Sequence, residues 1–185
     1  ASDVYKRQEF YDFYKNKMIF LDAKPNKAHL KLAEMEQAGK LSAIVTQNID
    51  GLHQAAGSKN VFELHGSVHR NYCQKCGKFF DVNYVVNAKG VPYCDECGGI
   101  IKPDVVLYEE GLDSQTINGA VRAISKADML IIGGTSLVVY PAAGMIDYFK
   151  GKYLAVLNRD ATSRDKQADL CITDPIGEVL GRIRV

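Results

Sequence analysis

Two pairs of closely spaced cysteines constrain this chain more than any other feature. Cys73 and Cys76 form one Cys-x-x-Cys turn, Cys94 and Cys97 form another, and residues 77–93 lie between them. Two such turns can direct four thiolates at one ion in the tetrahedral arrangement that Zn²⁺ prefers. Four unligated core cysteines would have no reason to adopt this spacing, and a redox role for either pair is not expected. Because no fifth ligand accompanies the set, the spacing predicts a structural zinc site.

The sequence around these cysteines differs from the rest of the chain. Residues 66–102 are rich in Cys, Gly, Asn and Lys and contain few long apolar runs. We therefore predict that 66–102 is a small zinc-ribbon module. It would be inserted into a larger domain formed by residues 1–65 and 103–185.

Outside that module, segments with helical periodicity alternate with short apolar runs. This alternation is typical of an α/β fold, and we predict a Rossmann-like, doubly wound parallel sheet. Ser114 is expected to cap one of the helices. Cys171 lies in the last apolar run and is expected to be a buried thiol. The runs that favour strands are 43–46, 129–132, 153–157 and 168–173.

Composition argues against several classes of partner. The 185 residues are 46% hydrophobic and 24% charged, and the formal net charge is +1, which gives no overall attraction to nucleic acid or anionic membranes. No apolar run approaches the ~18 residues of a membrane span, and residues 1–14 are too charged and aromatic for a signal peptide. We therefore expect a cytoplasmic protein with no direct nucleic-acid or membrane partner. The basic residues of the module are sparse and lack a regular pattern of stacking aromatics: Arg70, Lys75, Lys78 and Lys89.

A polar cluster follows the first predicted strand. Residues 46–53 are Thr-Gln-Asn-Ile-Asp-Gly-Leu-His, and α/β sheets place ligands at the carboxyl ends of their strands. The amides of Gln47 and Asn48 and the carboxylate of Asp50 can hydrogen-bond a carboxamide and a ribose. A capped turn at Asp50-Gly51 explains only part of the cluster. His65 follows in a Leu-His-Gly motif, and by itself a lone histidine is more often structural than catalytic.

The order of four motifs resembles the sirtuin family. Thr-Gln-Asn-Ile-Asp-x-Leu-His at 46–53 is followed by Leu-His-Gly at 64–66, then the two Cys-x-x-Cys pairs, and then Gly-Thr-Ser-Leu-x-Val-x-Pro at 134–141. The similarity runs from about the second predicted helix to the carboxyl terminus. It implies an NAD-dependent protein-lysine deacylase that consumes NAD as a cosubstrate and holds a structural Zn²⁺.

The resemblance also implies a role for each residue that matches a family motif. His65 would be the general base, with Asn48 and Asp50 as further catalytic residues. Gln47, Asn48 and Asp50 match the residues that line the nicotinamide and ribose pocket. The remaining dinucleotide contacts would come from Gly134, Thr135, Ser136 and Asn158.

Residues 102–108 resemble the family segment that holds the acyl-lysine peptide as an added strand. The resemblance places Val105, Val106, Tyr108 and Val139 on the substrate. From its pattern alone, 105–107 predicts an ordinary buried strand. The family commonly has glycine and then glutamate after Tyr108, whereas this chain has Glu109-Glu110.

The reaction that the resemblance implies splits NAD. Nicotinamide leaves, the acyl oxygen bonds to the ribose carbon, and His65 deprotonates a ribose hydroxyl that attacks the intermediate. The products would be free lysine, nicotinamide and O-acyl-ADP-ribose, and the partners would be acetylated or acylated lysine proteins. The alternatives are ADP-ribosyl transfer to another acceptor and a non-catalytic zinc-containing peptide-binding module. The second leaves Asn48, Asp50 and His65 without a role.

One family segment has no match in this sequence. Sirtuins begin with a strand that leads into a Gly-Ala-Gly loop and a Ser-Gly-Ile-Pro-Asp-Phe-Arg stretch, which hold the pyrophosphate. We therefore expect the first β-α unit to be absent and a sheet edge to be unpaired. The chain would then be a truncated form with weak or no activity. Residues 1–8 show no family-like pattern.

Overall fold

The chain folds as two units, each assembled from three separate stretches of sequence. The computed structural model describes residues 2–107, 110–138, 140 and 142–185. The first unit comprises Ala1–Ala23, Asn48–Gly51 and His65–Gly111. The second unit comprises Lys24–Gln47, Leu52–Leu64 and Leu112–Val185. The first unit thus contains all of residues 66–102 together with neighbouring stretches of the chain.

Helices and short strands alternate along most of the chain. The helices are α1 Ser2–Phe13, α2 Lys27–Gln37, α3 Leu52–Ala55, α4 Val82–Asn87, α5 Ser114–Lys126 and α6 Ile176–Gly181. The strands are β1 Ile44–Thr46, β2 Val61–Glu63, β3 Gly66–Cys73, β4 Phe79–Phe80, β5 Ile101–Val105, β6 Met129–Gly133, β7 Tyr153–Leu157 and β8 Leu170–Ile172. A π-helical turn at Tyr14–Met18 continues α1, and 3₁₀ turns occupy Ala142–Tyr148 and Asp165–Gln167.

The first unit is built on an antiparallel sheet in the order β4-β3-β5. Residues 101–105 alternate between a buried face, which carries Ile101 and Val105, and a more exposed face, which carries Lys102 and Asp104, because successive side chains of a strand point to opposite sides. The buried face packs with Tyr14, Val85 and Val68 in one core cluster. This core joins the helical start of the chain to the cysteine-containing sheet.

The second unit holds the parallel strands. β1 pairs with β2, and β6, β7 and β8 form a separate sheet in sequence order. Opposite faces of β7 pack on different helical elements: Val156 belongs to a cluster that includes Ile146 of the 3₁₀ turn at Ala142–Tyr148, and Leu157 packs with Leu180 of α6. Helical cover on both faces is the arrangement predicted for a doubly wound sheet.

Three sequence predictions differ from the structure in detail. Helix α5 is capped by Asp113, not by Ser114, because the Asp113 carboxylate accepts the Thr116 backbone N–H at 2.7 Å. Cys171 is exposed, not buried. It lies on β8, which among the described strands pairs only with β7. β8 is therefore at the edge of its sheet, with no described strand covering its other side. The strand predicted at 105–107 ends at Val105.

No helix in the described ranges is both long enough and apolar enough to cross a lipid bilayer.

Candidate active site and zinc site

The four paired cysteines converge within the first unit. Their Sγ atoms all lie within 4.8 Å of one another, with 3.4 Å between Cys73 and Cys97 and 3.7 Å between Cys76 and Cys94. A tetrahedron with Zn–S bonds of about 2.3 Å has edges of ~3.8 Å. The donor set therefore fits one Zn²⁺ ion.

Each Cys-x-x-Cys turn is closed by its own backbone. Gly77 N–H donates to Cys73 C=O at 2.9 Å, and Gly98 N–H donates to Cys94 C=O at 3.0 Å. The N–H groups of Cys76 and Lys75 approach Cys73 Sγ at 3.5 and 3.4 Å, and they lower the pKa of that thiol to about 6. Amides directed at sulfur favour the thiolate form that binds metal.

An ion-pair group joins the two turns. Lys78 Nζ lies 2.8 Å from Asp95 Oδ1 and 2.8 Å from Glu96 Oε1. The lysine lowers the pKa of the Asp95 carboxyl, mainly through its hydrogen bond. Lys78 thus ties the segment after the first turn to the residues inside the second turn.

Residues 48–51 belong to the first unit and lie against β3. Val68 N–H donates to Ile49 C=O at 3.0 Å, and His69 Nε2 donates to Asp50 C=O at 3.0 Å. Gly51 has a φ of +69°, and a Cβ there would lie 2.7 Å from His69 Cδ2. The polar cluster predicted from sequence is therefore fixed by its backbone, which sets where its side chains emerge.

His65 is fixed in the same way. Its C=O accepts the Val106 N–H at 3.1 Å. The following residue, Gly66, has a φ of +76°, and a Cβ there would lie 1.9 Å from the Asp104 carbonyl oxygen. The glycine of the Leu-His-Gly motif is thus required for β3 to approach β5, and His65 enters that pairing half-buried.

The predicted substrate segment lies next to His65, to which it is joined by the bond from Val106 N–H to His65 C=O. Val105 is buried at the end of β5, and Val106 is half-buried just beyond it. Leu107 N–H donates to Glu110 Oε2 at 3.0 Å. Tyr108 and Val139, the other two predicted substrate contacts, lie outside the described residues.

The second unit contains an open cavity of about 760 Å³ at the carboxyl end of its three-stranded sheet. The parallel register aligns Gly133 with Leu157 and Leu157 with Ile172, so the residues after β6 and β7 emerge side by side. Ligands of α/β sheets bind at this edge. Four residues predicted to contact the dinucleotide line this one cavity: Gly134, Thr135, Ser136 and Asn158.

The loop after β6 contains two residues with positive φ angles. Gly134 has a φ of +61° and Leu137 a φ of +55°, and a branched side chain in the left-handed region carries strain. Thr135 Oγ1 offsets it by accepting the Leu137 N–H at 3.2 Å, and it also accepts from Gln47 Nε2 at 3.5 Å. Gln47 therefore contacts a residue that lines the cavity.

Asn158 is oriented by the turn that follows it. Its side-chain Nδ2 donates to Asp160 C=O at 2.8 Å, and its backbone N–H donates to Ile172 C=O at 3.1 Å. The amide donor is thus directed into the turn, which fixes the position of the Oδ1 acceptor.

Sequence reasoning missed several residues of this cavity. Asp174 follows β8 just as Gly134 follows β6 and Asn158 follows β7, so the rule about strand ends could have found it. Asn26 and Lys27, at the start of α2, also line the cavity. The capping sequence at Asn26 marks a helix start, but sequence alone does not place that start beside β6.

Comparison with known protein families matches most of the chain. The Sir2 family model covers residues 1–141, including residues 1–8, where sequence inspection found no family pattern. The NAD-dependent protein deacetylase of Clostridium acetobutylicum is 66% identical over 174 residues, which is 94% of this chain and 71% of that protein. That of Cutibacterium acnes is 52% identical over 176 residues, or 95% of this chain and 72% of the relative.

Solved structures show the same relationship. A structure of Sir2 with a p53 peptide and NAD⁺ is 40% identical and superposes with a TM-score of 0.87, covering 96% of this chain and 77% of its own. A structure of Sir2 with 2′-O-acetyl-ADP-ribose, a deacetylated p53 peptide and the inhibitor EX-527 is 41% identical, with a TM-score of 0.86. It covers 96% of this chain and 79% of its own.

Proposed function

The chain belongs to the Sir2 family, and we propose that it is an NAD-dependent protein deacetylase acting on acetylated lysine side chains. The observation that carries this proposal is the cavity of the second unit. Gly134, Thr135, Ser136 and Asn158 line it together, and glycine backbone, hydroxyls and an oriented amide suit phosphate and ribose oxygens. The relatives named NAD-dependent protein deacetylase support the same reaction.

We propose that the polar cluster at residues 47–50 binds the nicotinamide half of NAD. Gln47, Asn48 and Asp50 supply amides and a carboxylate, which can hold the carboxamide and its ribose in a reactive orientation. Asn48 and Asp50 are proposed as catalytic residues because they would act on the glycosidic bond. Gln47 is supported by its hydrogen bond to Thr135, which lines the cavity.

In the proposed reaction the bond between nicotinamide and ribose breaks, and the acetyl-lysine carbonyl oxygen bonds to the ribose carbon. His65 accepts a proton from a ribose hydroxyl, which then attacks the acyl carbon. Water completes the release of the lysine amine. One acetyl-lysine, one NAD and one water thus give lysine, nicotinamide and O-acetyl-ADP-ribose.

The acyl-lysine peptide is proposed to bind along residues 105–107, with Val105 and Val106 next to the aliphatic part of the lysine. The backbone bond between Val106 N–H and His65 C=O supports this role, because it keeps the segment close to the proposed base. Tyr108 and Val139 remain part of the proposal on the family motif alone.

The zinc ion is proposed to be structural, held by Cys73, Cys76, Cys94 and Cys97 within the first unit. All four thiolates would be ligands, so no position is left for substrate. We propose that residues 66–102 form a zinc-ribbon module inserted into a Rossmann-like domain of residues 1–65 and 103–185. A cytoplasmic location is proposed because thiols that serve as metal ligands persist in a reducing compartment.

Calorimetric titration with ADP-ribose tests the cavity without requiring turnover. Asn158→Ala removes the oriented amide and is expected to weaken binding about tenfold, as the loss of one hydrogen bond does. Asn83→Ala, at an exposed position of α4, should bind like the wild-type chain. A wild-type chain that does not bind ADP-ribose would contradict the proposal.

A further inference from the structure

A carboxylate and an ammonium group contact the backbone at the end of β5 and just beyond it. Glu110 Oε2 accepts the Leu107 N–H at 3.0 Å and lies 3.0 Å from Lys102 Nζ. Lys102 Nζ also donates to the carbonyl oxygens of Pro103 and Val105, each at 3.4 Å. The Lys102–Glu110 pair therefore connects the end of β5 to the residues beyond it.

The Lys102–Glu110 pair holds the backbone just beyond the last residue pair of β3 and β5. β3 and β5 pair antiparallel from Cys73 and Ile101 to Gly66 and Val105, with a register shift between Ser67 and Asn71. The next amide, Val106 N–H, still bonds to His65 C=O. Leu107 N–H bonds instead to a side-chain carboxylate. At Leu107 the backbone amide is thus held by the Lys102–Glu110 pair in place of a neighbouring strand.

The two charged groups do more than a typical surface ion pair. Their side chains are 30% and 41% exposed, and an isolated pair with that exposure contributes little to stability. Here, however, each partner also hydrogen-bonds the backbone of the same segment. Leu107 N–H, and after it Lys102, hold the pKa of the Glu110 carboxyl below its ordinary value. The accepting carboxylate form is therefore the form present at neutral pH.

We propose that Lys102 and Glu110 are positioning residues for the acyl-lysine peptide. They fix the backbone of residues 105–107, the segment along which the peptide is proposed to lie. This inference rests on the proposed role of Val105 and Val106 in substrate binding. Because neither side chain needs to touch NAD or the reacting atoms, its removal affects peptide affinity and not nucleotide affinity.

Four variants of the full chain separate this role from a general structural one. Glu110→Ala removes the acceptor of the Leu107 amide, and Lys102→Met removes the cation but keeps an apolar stem. Lys102→Arg retains the charge and serves as the conservative variant. Glu9→Ala is the matched control, because Glu9 is an exposed glutamate of the same unit. For each variant we would measure the affinity for an acetyl-lysine peptide by fluorescence polarisation and the affinity for ADP-ribose by calorimetry.

Hydrogen exchange at the Leu107 amide, followed by NMR, adds a readout that does not depend on ligand. Glu110→Ala and Lys102→Met should weaken peptide binding about tenfold, leave ADP-ribose affinity unchanged and speed exchange at Leu107. Lys102→Arg and Glu9→Ala should match the wild-type chain.

Two results would overturn the positioning role while leaving the proposed function intact. One is a Glu110→Ala variant that binds peptide as tightly as the wild-type chain. The other is a variant that loses affinity for peptide and ADP-ribose alike. If the wild-type chain binds ADP-ribose but no acetyl-lysine peptide, the proposed peptide segment itself is wrong, and the positioning role falls with it.

Discussion

At the scale of the residue, the Leu-His-Gly motif combines a chemical group with a backbone requirement. His65 supplies the imidazole that we propose as the general base. Gly66 supplies the left-handed backbone, and the absence of a side chain there lets β3 lie against Asp104. The two residues are therefore constrained for different reasons, and replacing either one tests a different part of the account.

Gly66→Ala is expected to destabilise the first unit severely. Its φ is +76°, and its Cβ would meet the Asp104 carbonyl oxygen at 1.9 Å, so the backbone of β3 or β5 must move. Gly39→Ala is the matched control: Gly39 has a φ of +69°, but an alanine Cβ there would have no neighbouring atom within 4 Å. Strain from φ alone costs about 1–2 kcal/mol.

Urea unfolding of both variants measures the difference. We expect Gly66→Ala to lose at least about 2 kcal/mol more than Gly39→Ala, because a steric clash adds to the φ strain. Equal losses would show that the close approach of β3 and β5 does not constrain Gly66.

At the scale of the element, α5 shows how a helix start is set by a single side chain. The Asp113 carboxylate accepts the Thr116 N–H at 2.7 Å and the Thr116 hydroxyl at 2.8 Å. These bonds lower the pKa of the Asp113 carboxyl, the backbone bond first. The apolar residues Ile117, Val121 and Ile124 then follow at helical spacing and pack in one cluster.

Asp113→Ala is expected to lower the thermal unfolding midpoint at pH 7 by a few degrees. Ser114→Ala, at the position that sequence alone indicates as the cap, should leave the midpoint unchanged. Since the native pKa of Asp113 is depressed, its stabilisation is present above the unfolded-state pKa and is lost as pH falls through the native value. The difference between wild type and Asp113→Ala should therefore shrink in acid, and a difference that grows there would contradict this assignment.

The elements also show what sequence could and could not predict. The periodicity of residues 114–126 and the apolar runs that became β1, β6, β7 and β8 were sufficient to predict α/β architecture. Asp113 was missed as the cap because Asp and Ser are nearly equal caps. The sequence predicts a strand at 105–107 that continues past Val105, because β-branched residues favour extended backbone whether or not a partner strand is present.

For the candidate site, the order of the family motifs is enough to predict the residues after β6 and β7 that line one cavity. Asn26 and Lys27 could not be found in this way, because their place beside that cavity depends on how α2 packs with α6 and not on any local pattern. The exposure of Cys171 was likewise a consequence of its place on β8, which an apolar run does not reveal.

At the scale of the whole molecule, the zinc site is expected to hold the first unit together. Cys73 and Cys94 are part of the same core cluster as Tyr14 and Ile101, so the metal would stabilise packing as well as the two turns. The free energy of binding a structural zinc ion contributes directly to folding.

Elemental analysis of the purified chain should find about one zinc per molecule. Cys76→Ser should lose most of it and lower the unfolding midpoint, and a chelator should do the same to the wild-type chain. Cys171→Ser is the matched control, because Cys171 lies outside the four-sulfur set. Zinc content that falls in Cys171→Ser, or stays intact in Cys76→Ser, would contradict the ligand assignment.

The most direct test of the account follows the products of the proposed reaction by mass spectrometry. The chain is incubated with NAD and an acetyl-lysine peptide, and His65→Ala is treated in parallel. We expect nicotinamide, deacetylated peptide and O-acetyl-ADP-ribose to appear in equal amounts, and to be absent with His65→Ala. A wild-type chain that releases no nicotinamide above the level of His65→Ala, or that transfers ADP-ribose to another acceptor without deacetylating the peptide, would contradict the central claim.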